Sequence, residues 1–328
     1  MPLVAITHPT TDHPRFFPAE DLARLRAAAE VAVLGDLDAA ARAAVLARAD
    51  YLLGSWGMPK LDAAFLAAAP RLRAVCYAAG SVKGFATPES YARGVTITTA
   101  MFANAIPVAE VTVALITLAN KHWFQAQAEL RQTKRWERKA THPGNYRTEV
   151  GLIGFGAIGR LVAQRLRMMD LRVQVFDPFA KDADLAAHGC TRQPDLLQLA
   201  RACDVVSLHA PNIPQTRHML AAPFFQAMRD GACFINTARG ALVHEPSLIA
   251  ELLTGRITAH LDVTDPEPPV QDSPFWTLPN CFLTPHLAGS TCGEIRRMGT
   301  MAIDECLRLL AGTPAQYAVA ESQLATMA

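Results

Sequence analysis

The sequence predicts an α/β protein built from doubly wound parallel sheets, and three observations carry that expectation. Short apolar, β-like runs alternate with alanine- and leucine-rich helical stretches along nearly all of the 328 residues, the pattern of parallel strands whose crossover helices cover both sheet faces. One such run, ending at Ile153, passes into Gly154-Phe155-Gly156-Ala157-Ile158-Gly159 and then into an amphipathic stretch from Arg160 to Met169. Polar residues collect where later runs end, which is where open α/β sheets bind ligands. A chain of this length has room for two domains, each with its own core.

Taken in order, Leu3 to Thr7 reads as a strand, and Ala19 to Glu30 and Asp38 to Ala49 read as helices. Tyr51 to Leu53, Leu72 to Tyr77 and Val95 to Thr98 are further strands, with a helix over Lys60 to Ala68 after Pro59. This is a complete small α/β unit before the glycine motif begins. Asn104 reads as an N-cap with Pro107 in the first turn, opening a long helix to about Trp123. A second helical stretch runs to about Arg138 and is broken by Thr141-His142-Pro143-Gly144-Asn145. Its cations (Arg131, Lys134, Arg135, Arg138, Lys139) read as a solvated face or a subunit interface.

The glycine stretch has the context that a dinucleotide needs. The first glycine permits a sharp turn off the strand, the second clears space for a pyrophosphate, and the third lets helix and strand pack closely. The helix N-terminus then favours negative charge. A second strand, Leu171 to Phe176, ends at Asp177, whose carboxylate is placed to bond a ribose 2′-hydroxyl. That acid, with no arginine in Pro178-Phe179-Ala180, predicts NAD in preference to NADP. Later strands end at His209-Ala210-Pro211, at Thr237-Ala238-Arg239-Gly240 and at Asp262, and Gly289 to Leu310 reads as a final long helix.

Composition excludes several classes. The chain is 51% hydrophobic with a formal net charge of +1, so no basic excess points to nucleic acid or to an anionic membrane surface. The N-terminus lacks the pattern of a signal peptide, and the most apolar helix is interrupted by Glu110, Thr112 and Thr117. Seven cysteines lie scattered without C-x-x-C, mostly in apolar runs, which suggests reduced core thiols and neither disulfides nor a metal site. A cytoplasmic enzyme fits.

Three residues beyond the glycine motif suit chemistry on a 2-hydroxy acid. Arg239 follows a strand, Glu267 lies in Asp265-Pro266-Glu267-Pro268-Pro269, and His286 lies in Thr284-Pro285-His286. An arginine holds a carboxylate with a planar fork. A histidine exchanges the hydroxyl proton, and a carboxylate beside it favours its charged form. Spacing alone leaves their convergence open, and each has a structural alternative as a surface arginine, a loop glutamate or a capping histidine.

With these motifs in order, the chain resembles the D-2-hydroxyacid dehydrogenase family, which includes glyoxylate/hydroxypyruvate reductases and phosphoglycerate dehydrogenases. The resemblance rests on the glycine motif; on Ser207-Leu208-His209-Ala210-Pro211 with Thr216; on Ile235-Asn236-Thr237-Ala238-Arg239-Gly240; and on Leu261-Asp262-Val263 through Glu267-Pro268 to Thr284-Pro285-His286. Asn104 with Val108-Ala109-Glu110 matches a further segment. The resemblance implies that Arg239 binds substrate, His286 is the acid/base and Glu267 its partner. It implies a Rossmann-type NAD domain over 102–286, inserted into a flavodoxin-like substrate domain of 1–101 plus 287–328. The dinucleotide would be contacted by Gly154, Gly156, Ala157, Ile158, Gly159, Asp177, His209, Ala210, Pro211, Thr216, Thr237, Ala238, Arg239, Asp262, His286 and Gly289. The loop Ala79-Gly80-Ser81-Val82 would hold the substrate carboxylate through backbone N–H groups. The substrate is expected in a cleft between domains, and a homodimer through the NAD domain.

The substrate loop departs from the acidic pattern of many members, reading Gly80-Ser81-Val82-Lys83-Gly84-Phe85; Lys83 would face a second acidic or polar group on the substrate or simply be solvated. The leading expectation is an NAD-dependent reductase of 2-oxo acids. Its rivals are a dinucleotide-sensing corepressor or scaffold on the same fold, and a formate dehydrogenase.

Overall fold

A computed structural model describes residues 1–136, 142–325 and 327. The chain divides into two units, Met1–Asn104 with Ser290–Met327, and Ala105–Gly289.

In the first unit the strands are β1 (Leu3–Ile6), β2 (Glu30–Val33), β3 (Tyr51–Gly54), β4 (Ala74–Tyr77) and β5 (Thr96–Thr99). They form one sheet in the order β2-β1-β3-β4-β5, with every pairing parallel. Successive strand residues point to opposite faces. Val4, Ile6, Leu53 and Cys76 therefore pack with Met298, Ile303 and Cys306 of the helix Ile295–Leu310, while Ala5, Leu52, Val75 and Ile97 pack with Leu46, Leu61 and Leu66. Asp38 and Asp62 cap the helices Ala39–Leu46 and Ala63–Ala68 by accepting the N–H groups of Ala41 and Phe65.

The second unit carries β6 (Glu149–Ile153), β7 (Arg172–Phe176), β8 (Cys190–Arg192), β9 (Val205–Leu208), β10 (Cys233–Asn236), β11 (Thr258–Leu261) and β12 (Cys281–Leu283). The order is β12-β11-β10-β9-β6-β7-β8, all parallel. Strand order reverses between β6 and β9, leaving a crevice above their carboxyl ends. One face packs Ile153, Val206, Phe234 and Leu261 with Phe224 and Phe225. The other packs Leu152, Val175, Val205 and Ile235 with Ile116 and Ala163.

The helix Met101–Ala119 is long and apolar enough, by length and composition, to cross a membrane, despite Glu110, Thr112 and Thr117. Ala109, Ile116 and Ala119 instead pack in the core beside Val150 and Leu152. Several expectations need correction. Asn104 is not an N-cap: the helix starts at Met101, whose N–H donates to Thr99 Oγ1 at 3.1 Å, and Asn104 Oδ1 accepts the Ser290 N–H at 2.8 Å. Helix stops at Ala119 and restarts at Trp123 after His122, which has a φ of 48°. The last helix begins at Ile295, six residues later than its sequence suggested, after a turn closed by Thr291 and Glu294. Of the basic face, Arg138 and Lys139 lie outside the described residues. Six of the seven cysteines are buried and free, and Cys292 is exposed.

Candidate active site

The glycine turn follows directly from steric need. Gly154 has a φ of +97°, and a Cβ there would lie 2.7 Å from the His209 carbonyl carbon and the Ala210 nitrogen. A Cβ on Gly159 would overlap the Gly154 carbonyl oxygen. Both glycines are thus required by the protein's own packing. Gly156 differs, because a Cβ there would meet nothing within 4 Å. It caps the helix Ala157–Leu166, whose first turn carries Ala157 and Ile158, and the open space above it is where an anion would gain from the free N–H groups.

Asp177 stands at the end of β7, and both of its carboxylate oxygens already accept main-chain N–H groups. Oδ2 accepts the Phe155 N–H at 2.6 Å, and Oδ1 accepts those of Phe179 at 2.7 Å and Ala180 at 3.1 Å. A carboxylate has about four lone-pair directions, so a hydroxyl can still be added. Arg192, for which no sequence motif speaks, reaches this turn from β8. It bonds the Asp177 carbonyl at 3.1 Å, the Ala180 carbonyl, and Asp182 Oδ1 at 2.5 Å.

At the end of β9, His209 Nε2 sits 3.0 Å from Ser207 Oγ, while its buried Nδ1 has no hydrogen-bond partner among the described residues. Burial pulls its pKa down to about 3, so the ring is neutral. Ala210 is buried and belongs to the core with Ile153 and Leu208. Thr216, expected against the cofactor, closes its own turn, donating to the Pro211 carbonyl at 2.5 Å and accepting from the Ile213 N–H at 3.1 Å.

At the end of β10 a single asparagine shapes the turn. Asn236 Oδ1 accepts the Ala238 N–H and its Nδ2 donates to the Arg239 carbonyl, both at 3.0 Å. Thr237 Oγ1 lies 3.1 Å from Thr112 Oγ1. Among the described residues, the Arg239 guanidinium bonds one acceptor, the Ala238 carbonyl at 2.6 Å, leaving the rest of its fork free. Burial lowers its pKa below the ordinary value, and the Glu267 carboxylate opposes that shift.

His286 and Glu267 meet: His286 Nδ1 is 2.7 Å from Glu267 Oε1. His286 has a φ of +53°, a conformation that a non-glycine residue holds only when its surroundings fix it. Asp262 does the fixing. Its Oδ1 accepts Thr284 Oγ1–H at 2.5 Å and the Leu287 N–H at 2.7 Å, and its Oδ2 accepts the Ala288 N–H at 2.9 Å. Asp262 therefore serves the His286 turn, a role that residue type and spacing do not signal. Gly289 follows this turn and is partly buried. Nδ1 is the ring nitrogen that meets Glu267, so Nε2 is the one this pair does not use.

In the first unit, the loop after β4 is held by its carbonyls. Ala79 O accepts the Ala100 N–H at 2.9 Å, Gly80 O accepts Thr99 Oγ1–H at 2.5 Å, and Val82 O accepts the Ala86 N–H at 2.9 Å. Among the described residues nothing accepts from the N–H groups of Gly80, Ser81 and Val82. Lys83 is exposed.

Similarity to known proteins gives the family of the chain. The family model described as D-isomer specific 2-hydroxyacid dehydrogenase, NAD binding domain, matches residues 113–288, more than half of the chain. Hydroxypyruvate reductase of Thermotoga maritima is 30% identical over 255 residues, covering 76% of this chain and 82% of that protein. D-3-phosphoglycerate dehydrogenase of Archaeoglobus fulgidus is 30% identical over 262 residues, 79% of this chain but 49% of that protein. The chain thus spans about half the length of the phosphoglycerate dehydrogenases it matches. A solved 2-hydroxyacid dehydrogenase from Ketogulonicigenium vulgare Y25 superposes with a TM-score of 0.76 at 27% identity, over 97% of this chain and 98% of that one. The chain belongs to the D-isomer-specific 2-hydroxyacid dehydrogenase family.

Proposed function

We propose that the chain is an NAD(H)-dependent oxidoreductase interconverting a D-2-hydroxy acid and its 2-oxo acid, with Arg239, Glu267 and His286 as its catalytic set. The observation that carries this reading is the His286–Glu267 pair at 2.7 Å in the same unit as Arg239 and the glycine turn. Two features fit a dinucleotide: the unfilled space at Gly156 and the orphaned, buried Nδ1 of His209. The glycine turn, Asp177 and the β9 and β10 turns would hold it, and when bound its nicotinamide supplies the hydride chemistry. Asp177 favours a ribose 2′-hydroxyl over a 2′-phosphate by charge, hence NAD over NADP.

Arg239 binds the substrate carboxylate with its free fork, which burial makes more effective than the same charge in water. His286 gives a proton from Nε2 to the substrate oxygen during reduction and takes it back during oxidation. Glu267 orients the ring through Nδ1 and compensates the charge of the imidazolium. The free N–H groups at Gly80, Ser81 and Val82 are suited to a carboxylate as well. Formate oxidation is disfavoured, because formate carries no hydroxyl whose proton a histidine–glutamate pair would take. The exposed Trp123, Leu130 and Trp136 support a homodimer through the central unit, which size-exclusion chromatography of a Trp123→Glu variant tests.

The deciding experiment follows NADH oxidation against glyoxylate, hydroxypyruvate, pyruvate and bulkier 2-oxo acids, with NADPH and His286→Ala in parallel. Saturable turnover falling about 10²- to 10⁴-fold in the variant is expected. Tight NADH binding with no turnover on any acid would replace this reading with a dinucleotide sensor.

A further inference from the structure

The His286–Glu267 pair is not held by its own packing, since the two side chains are 46% and 43% exposed. Each must be positioned from behind. Asp262 supplies this for His286, and the corresponding device for Glu267 lies in the sequence around it. In Asp265-Pro266-Glu267-Pro268-Pro269, three of the five residues are prolines without an N–H. Only Asp265 and Glu267 can donate from the main chain to an outside anchor. The Asp265 N–H donates to Glu245 Oε1 at 2.7 Å.

Glu245 is the first residue of the helix Glu245–Leu253, where the helix dipole favours an acid. Burial pushes its carboxyl pKa up, and the Asp265 N–H pulls it back down. The loop has three further ties. Thr264 Oγ1 donates to the Pro266 carbonyl at 2.8 Å, Arg217 pairs with Asp265 Oδ2 at 3.3 Å, and a Cβ on Gly240 would overlap the Thr264 carbonyl. The Arg217 pair is exposed and contributes little; the Thr264 and Gly240 contacts end at Pro266. Glu245, Arg217 and Asp265 also line a surface groove of about 640 Å³ behind the loop. Among the described residues, Glu245 is the one carboxyl side chain that bonds the proline loop's main chain.

We propose that Glu245 is a positioning residue: by holding the Asp265 N–H it sets Glu267 on His286 Nδ1. Its effect on turnover rests on the catalytic reading above; the contact it controls does not.

The test labels histidine with ¹⁵N and reads the His286 ring nitrogens at alkaline pH, the signal being assigned with His286→Ala. The proton sits on Nδ1 when Glu267 accepts it, and moves toward Nε2 when no acceptor is there. Wild type and Glu245→Gln, whose amide oxygen still accepts the N–H, should show the Nδ1–H form. Glu245→Ala should move toward the Nε2–H form seen in Glu267→Ala, with kcat falling about tenfold and KM within about twofold, as for a lost transition-state interaction. If Glu245→Ala keeps the wild-type ring shifts while Glu267→Ala changes them, the proposal is wrong. Should Glu245→Ala fail to fold, Glu245→Asp, one methylene short, must show a partial change or the proposal fails. Turnover that survives both His286→Ala and Glu267→Ala overturns the catalytic reading instead, and the ring shifts still decide the role of Glu245.

Discussion

The two sheets share an architecture and differ in what stands at their strand ends. The five-stranded sheet presents main-chain N–H groups at Gly80, Ser81 and Val82. The seven-stranded sheet presents side chains: His209, Arg239, Asp262 and, beyond β12, His286. Main-chain donors do not depend on which side chains carry them, so Ser81 and Val82 leave these N–H groups as available as acidic residues would. A side chain that is to exchange a proton must be held in one orientation, and in the second unit Glu267 meets the His286 ring, Asp262 accepts N–H groups of the turn after it, and Glu245 accepts the Asp265 N–H of the loop that carries Glu267. Doubly wound sheets place loops; the loops decide chemistry.

Removing the arginine breaks the side-chain half of this contrast. Arg239→Met should lower kcat/KM for any 2-oxo acid about 10²- to 10³-fold with the fold intact, because a charge-assisted, partly buried bond to the carboxylate is lost. A loss under fivefold would shift carboxylate binding wholly to the backbone loop.

Next comes a contrast within the glycine turn. Gly154→Ala should destabilise by about 2–3 kcal/mol or prevent folding, since it combines a positive φ with backbone overlap. Gly156→Ala should leave the urea midpoint unchanged and weaken NADH binding about tenfold, because its space is open in the protein alone. Equal affinity for NADH in Gly156→Ala would remove the pyrophosphate from that spot.

Acid should act on the central unit. Burial lowers the pKa of His209 to about 3 and of His260 to about 4. The unfolded chain takes up these protons near 6.5 and the folded one does not, so this stability is complete above pH 6.5. It is lost as pH falls toward 4 and then 3, by at most about 1.4 kcal/mol per pH unit per histidine. Urea midpoints measured at descending pH should fall less steeply in His209→Gln.

The smallest effect concerns Lys83, which is exposed. Lys83→Ala should lower kcat/KM about two- to threefold for dianionic 2-oxo acids and leave short monoanionic ones unchanged, the scale of a solvent-screened charge pair. Identical values for both classes would mark it as a solvated lysine.

Much of the fold was legible because burial on both faces writes itself into apolar runs such as Val150 to Ile153 and Val205 to Leu208. The short edge strands were not: β2 is partly exposed and β8 is three residues long, so neither leaves a continuous apolar run. At the site, the ionisable residues were visible as types at strand ends. Their supports were not, because Glu245, Asn236 and Arg192 act through main-chain groups that carry no sequence signal. Thr216 Oγ1 and Asp177 Oδ1 also bond nearby turns, through main-chain partners that no residue type announces.

The sequence by itself determined the parallel α/β class, the glycine turn and the identity of the arginine, glutamate and histidine, since these depend on local sterics, periodicity and residue chemistry. Only the tertiary structure decided that His286 and Glu267 touch across 19 positions. It also decided that Asp262 and Glu245 hold their turns. These contacts depend on where strands β10, β11 and β12 end beside one another in the sheet, and strand register is fixed by long-range pairing and packing that no short stretch of sequence contains.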